Sequence, residues 1–370
     1  MKITICTGPN YPVPAMKGGG MARAWHRLGQ YFASKAHQVT IVSRAFEGLP
    51  AEEMHDNLTI SRRGGFDQCP SLIENLIRDF GYAFKTSFQI PKSDVLVLND
   101  FWLPAIAPLL RPSLKGVVVS VNRIPKNQYK LYSRSDTFVC PTNRVSEILK
   151  KQLPHRQSDI FTIANPYDST TFSPSDELGD GLLYVGRIHP EKGLDILLNG
   201  FGHIHQMFPD LGLTIVGPWK ESQGGGGSAY FGKLKERSKA LPVRWLAPVY
   251  DPSELRNLYH SHRIFCYPSI SDTCETMGIA PVEAMACGCI PIVSNLPVFN
   301  SFLAENESGL SFDYKAHDAP QKLASLVRKL LSDPQLQEKL RQGAIASSQR
   351  FSIPKIGDDF LTLFTSRHRL

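Results

Sequence analysis

No run of about 18 consecutive apolar residues occurs in the chain, so no segment is long enough to cross a bilayer as a helix. No Asp-x-Asp triplet occurs, which removes the acidic motif that many transferases use to hold a divalent ion. The dinucleotide fingerprint G-x-G-x-x-G, the phosphate loop closed by Lys-Ser or Lys-Thr, and the G-x-S-x-G elbow of serine hydrolases are also missing. Cysteine is sparse, with seven scattered residues. The nearest two, Cys287 and Cys289, have one residue between them, a spacing that suits neither zinc nor a redox pair. They read as small buried apolar residues in a reducing compartment. His203 and His205, two apart on an expected helix, point to different faces, so no metal site is expected.

What is present describes a globular protein. The 370 residues are 42% hydrophobic and 20% charged, too long a chain for one ordinary core and about right for two α/β domains. The first residues, Met1 to Cys6, read as a buried strand and not as a signal peptide, so a cytoplasmic location is expected. Charge is unevenly shared. Residues 1–170 carry 21 Lys and Arg against 13 Asp and Glu, whereas residues 171–370 carry 20 against 21. The first half either meets something anionic, with an anionic membrane surface as one candidate and a peripheral position on its inner face, or simply presents a solvated basic face. Its basic residues are dispersed and form no recognised module, so nucleic acid is not an expected partner.

Apolar strands alternate with amphipathic helices along the whole chain. In the first half strands are expected near 2–6, 38–43, 57–61, 94–98, 116–121, 136–140 and 160–163, with helices near 20–35, 71–86, 102–110 and 142–152. In the second half strands are expected near 182–186, 212–216, 243–246, 263–267, 290–293 and 310–313. Helices are expected there near 193–208, 228–240, 252–260, 281–287, 317–331 and 334–349. Continuous apolar strands such as Val95 to Leu98 suit parallel sheets covered on both faces. Two such series predict two doubly wound domains, residues 1–165 and 175–350, with a final helix near 353–370. The glycine-rich segment Gln223 to Ser228 reads either as a mobile loop at the end of a strand or as a plain surface loop.

Three constellations carry chemistry. In Gly186-Arg187-Ile188-His189-Pro190-Glu191-Lys192-Gly193 a strand ends and two cations follow, five residues apart, on a tight loop before a helix. Arg grips a diphosphate bidentately and Lys adds a point charge, although such a pair is common in strand–helix loops. In the stretch from Asp272 to Gly288, Glu275 precedes a helix and Glu283 is expected in its first turn, with Pro281 at the first helical position. Amides near Gly278, Ile279 and Val282 suit an anion, and the two glutamates suit vicinal sugar hydroxyls. A first-turn acid placed only for the helix dipole is the simpler reading of Glu283 alone. In Lys17-Gly18-Gly19-Gly20 a glycine-rich turn lets backbone approach a phosphate, a weak signal by itself.

Together these motifs resemble the family 4 glycosyltransferases (glycosyltransferase group 1), retaining enzymes of the GT-B fold. Gly186-Arg187 with Glu191-Lys192-Gly193 looks like the family's diphosphate motif. Pro268-Ser269, Glu275, Gly278, Glu283 to Gly288 and Pro291 to Ser294 look like its paired-glutamate signature. Asn165 to Asp168 and Phe172-Ser173-Pro174 are similar to its interdomain segment. The resemblance is strong over most of 140–350 and weaker before that.

It implies an α/β architecture of two Rossmann-like doubly wound domains facing across a cleft, with the last helix crossing back to the first domain. It implies that Arg187 and Lys192 bind the donor pyrophosphate, that Glu283 binds the ribose and that Glu275 binds the transferred sugar. Backbone at Met277, Gly278 and Ile279 would face the sugar, Gly19 and Gly20 would close over the phosphates, and the base would lie near Leu246 and Val249. The donor would be a nucleotide-diphosphate sugar, UDP-glucose as first expectation, with no metal and no further cofactor. The acceptor would be a glycan or lipid-linked saccharide of a cell-surface polysaccharide pathway, met by first-domain loops carrying Asp100, Trp102 and Arg123, although an ordinary core aromatic is the simpler reading of Trp102. One departure stands out: Asn122 follows the strand at Val118 to Val121, where the family often has histidine. Asn cannot act as a base, but it can hydrogen-bond a sugar hydroxyl. A non-hydrolysing nucleotide-sugar epimerase and a catalytically silent nucleotide-sugar-binding protein are the competing expectations.

Overall fold

The computed structural model describes residues 1–69 and 71–368, and the chain forms two compact units. The first comprises Met1–Pro166 and the terminal helix that begins at Ile353, and the second comprises Tyr167–Ser352.

The first unit opens with β1 (Lys2–Cys6), α1 (Gly20–Ser34), β2 (Gln38–Arg44), β3 (Glu52–His55), β4 (Leu58–Arg63) and α2 (Leu72–Ser87). It continues with β5 (Val95–Leu98), α3 (Leu103–Leu110), β6 (Val117–Ser120), β7 (Thr137–Cys140), α4 (Asn143–Gln152) and β8 (Ile160–Thr162). Eight strands lie in the order β3-β4-β2-β1-β5-β6-β7-β8, parallel throughout except for the antiparallel β3–β4 pair. β3 escaped the apolar pattern because its residues, Glu-Glu-Met-His, are mostly exposed and it touches only β4 at the sheet edge.

The second unit holds β9 (Leu182–Val185), α5 (Leu194–Met207), β10 (Leu213–Val216), α6 (Gly227–Arg237), β11 (Val243–Leu246) and α7 (Pro252–His260). After them come β12 (Ile264–Tyr267), α8 (Ile279–Ala286), β13 (Ile290–Ser294), β14 (Leu310–Phe312), α9 (Ala319–Leu331) and α10 (Pro334–Ser348). Its six strands are all parallel, in the order β11-β10-β9-β12-β13-β14. The chain then returns to the first unit as α11 (Ile353–His368). There Phe360 packs on Trp25 at 5.1 Å between ring centroids and Phe364 packs edge-on against Phe32 at 5.9 Å. These aromatics join Ile3, Ile5 and Ile41 in one buried cluster, which is what holds the last helix on that sheet.

Both sheets reverse their strand order at one point. In the first, β1 and β5 are neighbours, and in the second, β9 and β12 are. The helices that follow such strands leave toward opposite faces, so a crevice opens beyond the carboxyl ends there. The three constellations at Lys17–Gly20, Gly186–Gly193 and Asp272–Gly288 follow β1, β9 and β12, three of these four strands.

A pH dependence follows from α1. Burial, with help from Arg27 and against the opposing pull of Glu53, lowers the His26 imidazole from 6.5 to about 4. The unfolded chain then binds this proton more readily than the folded one. The associated stability is complete above 6.5 and is lost as pH falls through that window toward 4. Urea unfolding on either side of the window should show His26→Asn losing about 2–3 kcal/mol less than wild type on acidification. An equal loss in both proteins would mean that His26 titrates normally in the fold.

Candidate active site

The charged cluster of the second unit is built by its two central strands. β9 ends at Val185, and the loop that follows carries Gly186 and Arg187 into a single turn over Pro190–Lys192. Gly193 then takes φ 68°, and a Cβ on it would sit 2.0 Å from the Pro268 carbonyl oxygen. Only glycine permits that approach, which lays the loop after β9 on the loop after β12. The result is a buried ion pair. Lys192 is 6% exposed and Glu275 is 5% exposed, and the lysine Nζ contacts Glu275 Oε1 directly.

Neighbouring hydroxyls complete this pair. Lys192 Nζ donates to the Tyr267 hydroxyl at 3.2 Å, and Glu275 Oε1 accepts from Ser269 Oγ at 2.7 Å and from the Tyr267 hydroxyl at 3.2 Å. Two charges taken out of water are thus matched and hydrogen-bonded, the condition under which such burial is tolerated. Burial and the Glu275 carboxylate push the Tyr267 phenol well above its ordinary range, so it stays a neutral donor.

Arg187 is half exposed beside this pair. It donates to the Gly224 carbonyl oxygen at 2.7 Å and pairs with Glu191. Burial opposes ionisation of Glu191, but Arg187 and Lys192 hold its carboxyl below the usual range. The contact at Gly224 corrects the expectation of a mobile glycine loop. Gly225 donates to Lys220 O at 2.9 Å, Gly226 to Ile188 O at 2.8 Å and Gly227 to Trp219 O at 2.9 Å. A Cβ on Gly225 would lie 2.2 Å from Trp219 backbone atoms. The glycines are there because the backbones are in contact, and the hydrogen bonds hold the run in place.

The helix after β12 also differs from expectation. α8 begins at Ile279, capped by Gly278 at φ 83°, so Pro281 is its third residue and Glu283 falls in its second turn. That weakens the helix-dipole reading of Glu283. The carboxylate is 3% exposed and accepts from the Tyr259 hydroxyl at 3.2 Å. The first amides of α8, at Ile279 and Ala280, have no partner inside the helix. Buried Met277 precedes the cap. Leu246 ends β11, and half-buried Val249 lies on the loop beyond it, at the same carboxyl edge of the parallel sheet.

The first unit gathers its own candidates at the carboxyl ends of β1, β5 and β6. Gly19, at φ 93°, precedes α1 and packs on the Tyr11 ring, and Gly20 is the first residue of the helix. The same loop is anchored by Lys17, which pairs with Asp67 at 3.1 Å. Asn122 donates from Nδ2 to Asn99 Oδ1 at 2.8 Å and to Ser120 Oγ at 2.7 Å, which fixes the orientation of its amide. Asp100 accepts from the Leu103 amide at 3.3 Å. Burial and the nearby Asp79 carboxyl push Asp100 well above the carboxylate range. The Trp102 indole donates to Leu76 O at 3.0 Å and stands edge-on to Phe80 and Phe101. Arg123 is exposed.

Tyr267, Tyr259 and the part played by Asn99 were not foreseen, and Ser269, quoted within the signature, had been given no role of its own. Tyr267 and Ser269 adjoin the carboxyl end of β12, and Asn99 follows β5, so strand order would have pointed to them. Tyr259, inside α7, carries no sequence signal. Among the described residues no group of three His, Cys, Asp or Glu side chains is placed to hold a metal ion, and no helix is long and apolar enough to cross a membrane.

Comparison with known proteins agrees with this arrangement. The model of "Glycosyl transferases group 1" matches residues 173–347, and that of "Glycosyltransferase Family 4" matches residues 18–171. The chain is 25% identical over 357 residues to a D-inositol 3-phosphate glycosyltransferase of Segniliparus rotundus, covering 89% of this chain and 75% of that one. It is 31% identical over 231 residues to a phosphatidyl-myo-inositol mannosyltransferase of Mycobacterium tuberculosis, covering 58% of each. It spans less than two thirds of the length of most such relatives. Among solved structures, Anabaena HepE in complex with UDP-glucose superposes with a TM-score of 0.74 at 16% identity, over 99% of this chain and 100% of that one. The two family models adjoin along the sequence, one on each doubly wound unit, and the chain belongs to the family 4 (group 1) glycosyltransferases of the GT-B fold.

Proposed function

We propose that the protein transfers a hexose from a nucleotide-diphosphate sugar, with UDP-glucose as first choice, to a hydroxyl of a glycan or lipid-linked saccharide. In this reading the anomeric configuration is retained, no metal ion is needed, and the product belongs to a cell-surface glycan. The observation that carries it is the buried Lys192 beside Arg187 at the strand reversal of the second sheet. Lys192 has three N–H donors. Two go to Tyr267 and Glu275, and the third has no partner among the described residues. That third donor is the one offered to a phosphate oxygen. The UDP-glucose in the HepE structure supports the donor class, and the name of the mycobacterial mannosyltransferase supports a lipid acceptor.

The chemistry follows from charge. As the bond from the anomeric carbon to the phosphate oxygen breaks, negative charge grows on the diphosphate. Arg187, Lys192 and the first amides of α8 are preorganised to hold it, with Lys192 the member most shielded from water. The acceptor oxygen forms the new bond on the face the phosphate leaves, and its proton passes to the departing phosphate oxygen. Glu275 is already engaged by Lys192, Ser269 and Tyr267, so it serves to position sugar hydroxyls and not as a nucleophile. Glu283 takes the ribose hydroxyls, Leu246 and Val249 flank the base, and backbone at Met277, Gly278 and Ile279 faces the sugar. Gly19 and Gly20 approach the phosphates, and Asn122 holds a sugar hydroxyl. Asp100, Trp102 and Arg123 belong to the acceptor side.

Two outcomes test this reading. Lys192→Ala should lower kcat/KM with UDP-glucose by at least about 100-fold, measured as UDP release in the presence of acceptor. Turnover at the wild-type rate would remove the lysine from the mechanism. Proton NMR of the first product formed from the α-linked donor should show an α-glycoside. A β-glycoside would rule out retention.

A further inference from the structure

Helix α2 is mounted with its apolar side outward. Its buried residues are Asp79, Tyr82, Ala83, Thr86 and Ser87, mostly small or polar. Ile73, Ile77, Phe80 and Phe84 are 72%, 67%, 48% and 46% exposed, and Phe88, one residue past the helix, is 58% exposed. The spacing of these five residues follows the helical repeat, so they form one stripe along the whole helix. Arg111 at the end of α3 donates to Ser87 O at 3.2 Å and to Ile90 O, which sets the two helix ends side by side. Leu109 and Leu110, 55% and 39% exposed, extend the apolar surface at that end. Lys85 in the last turn of α2, Lys92 on the loop after it and Lys115 on the loop after α3 are exposed and form no ion pair among the described residues.

We propose that this face docks on an anionic lipid bilayer, with α2 lying in the plane of the headgroups. An exposed apolar stripe bordered by cations is the pattern of an interfacial helix, and at 16 residues α2 would lie flat over about 24 Å. Charge complementarity selects the occupant. A two-fold contact with a second copy would offer these lysines only one exposed carboxylate of α2, Glu74, and that is already paired with Arg78. Anionic headgroups supply the opposite sign to Lys85, Lys92 and Lys115, and to the excess of 21 basic over 13 acidic residues in 1–170. The loop that carries Trp102 adjoins the docking helix, because the Trp102 indole is bonded to α2 at Leu76. The inference rests on exposure and charge in the first unit and is independent of the donor chemistry.

Co-sedimentation of the full-length protein with phosphatidylcholine vesicles, with and without phosphatidylglycerol, tests it without any turnover. The wild type should partition onto phosphatidylglycerol vesicles at least about tenfold better than onto pure phosphatidylcholine. Phe84→Ser with Phe88→Ser should lower that partition about tenfold or more with an unchanged melting midpoint. Lys85→Ala with Lys92→Ala and Lys115→Ala should abolish the preference for the anionic lipid. Wild-type protein left in the supernatant, or partition unaffected by both variants, would overturn the proposal. So would a sedimentation mass showing a dimer that the phenylalanine variant dissociates, since the face would then be a contact between copies.

Discussion

A lysine and a glutamate buried against each other, where the strand order of the second sheet reverses, are the constraint around which the site is arranged. Neither charge is tolerable there alone. Each needs the other, and the pair needs the hydroxyls of Tyr267 and Ser269. Lys192 and Glu275 come from loops after different strands, so those loops must lie in contact, and Gly193 is the residue that allows it. The parallel register of β9 with β12 then fixes where the loops start. Fold and site are therefore one problem: a shift in that strand pair would separate the charges and leave both unsatisfied.

The same logic explains the surroundings. Arg187 does not project freely. Gly224 and Glu191 hold its guanidinium, and the glycine run that provides the first contact is itself fastened to Trp219, Lys220 and Ile188. A cation that has already lost its freedom gives up little more when it meets a phosphate, which is how preorganisation favours charge stabilisation over flexible binding. In the first unit Asn122 is treated alike, its amide aimed by Asn99 and Ser120.

Much of this was legible in the sequence because parallel strands buried on both faces leave continuous apolar runs, and their periodicity marks each helix between them. The missed strand, Glu52–His55, is the exception that shows why: a charged, exposed edge carries no such run. The motifs at Arg187, Lys192, Glu275 and Glu283 were visible as spacings, but their relations were not. That Lys192 touches Glu275 depends on two loops 83 residues apart in sequence, information that local pattern does not contain. The start of α8 was misplaced by two residues because Pro281 fits a first helical position as well as the third it occupies, and Gly278 is the true cap. The glycine run was misread because glycine serves close backbone contact as readily as freedom, and only the structure shows Trp219 against it. The outward face of α2 was likewise hidden, since an amphipathic period reveals a stripe without saying which way it points.

The central claim is that the cations at the carboxyl edge of the second sheet form a cradle for a diphosphate. Calorimetric titration of the protein with UDP and with UMP, in the presence of a metal chelator, tests it most directly. The account predicts that UDP binds at least about tenfold more tightly than UMP and that Arg187→Ala removes most of the difference. Equal affinity for the two nucleotides, or a preference for UDP that survives loss of Arg187, would contradict it.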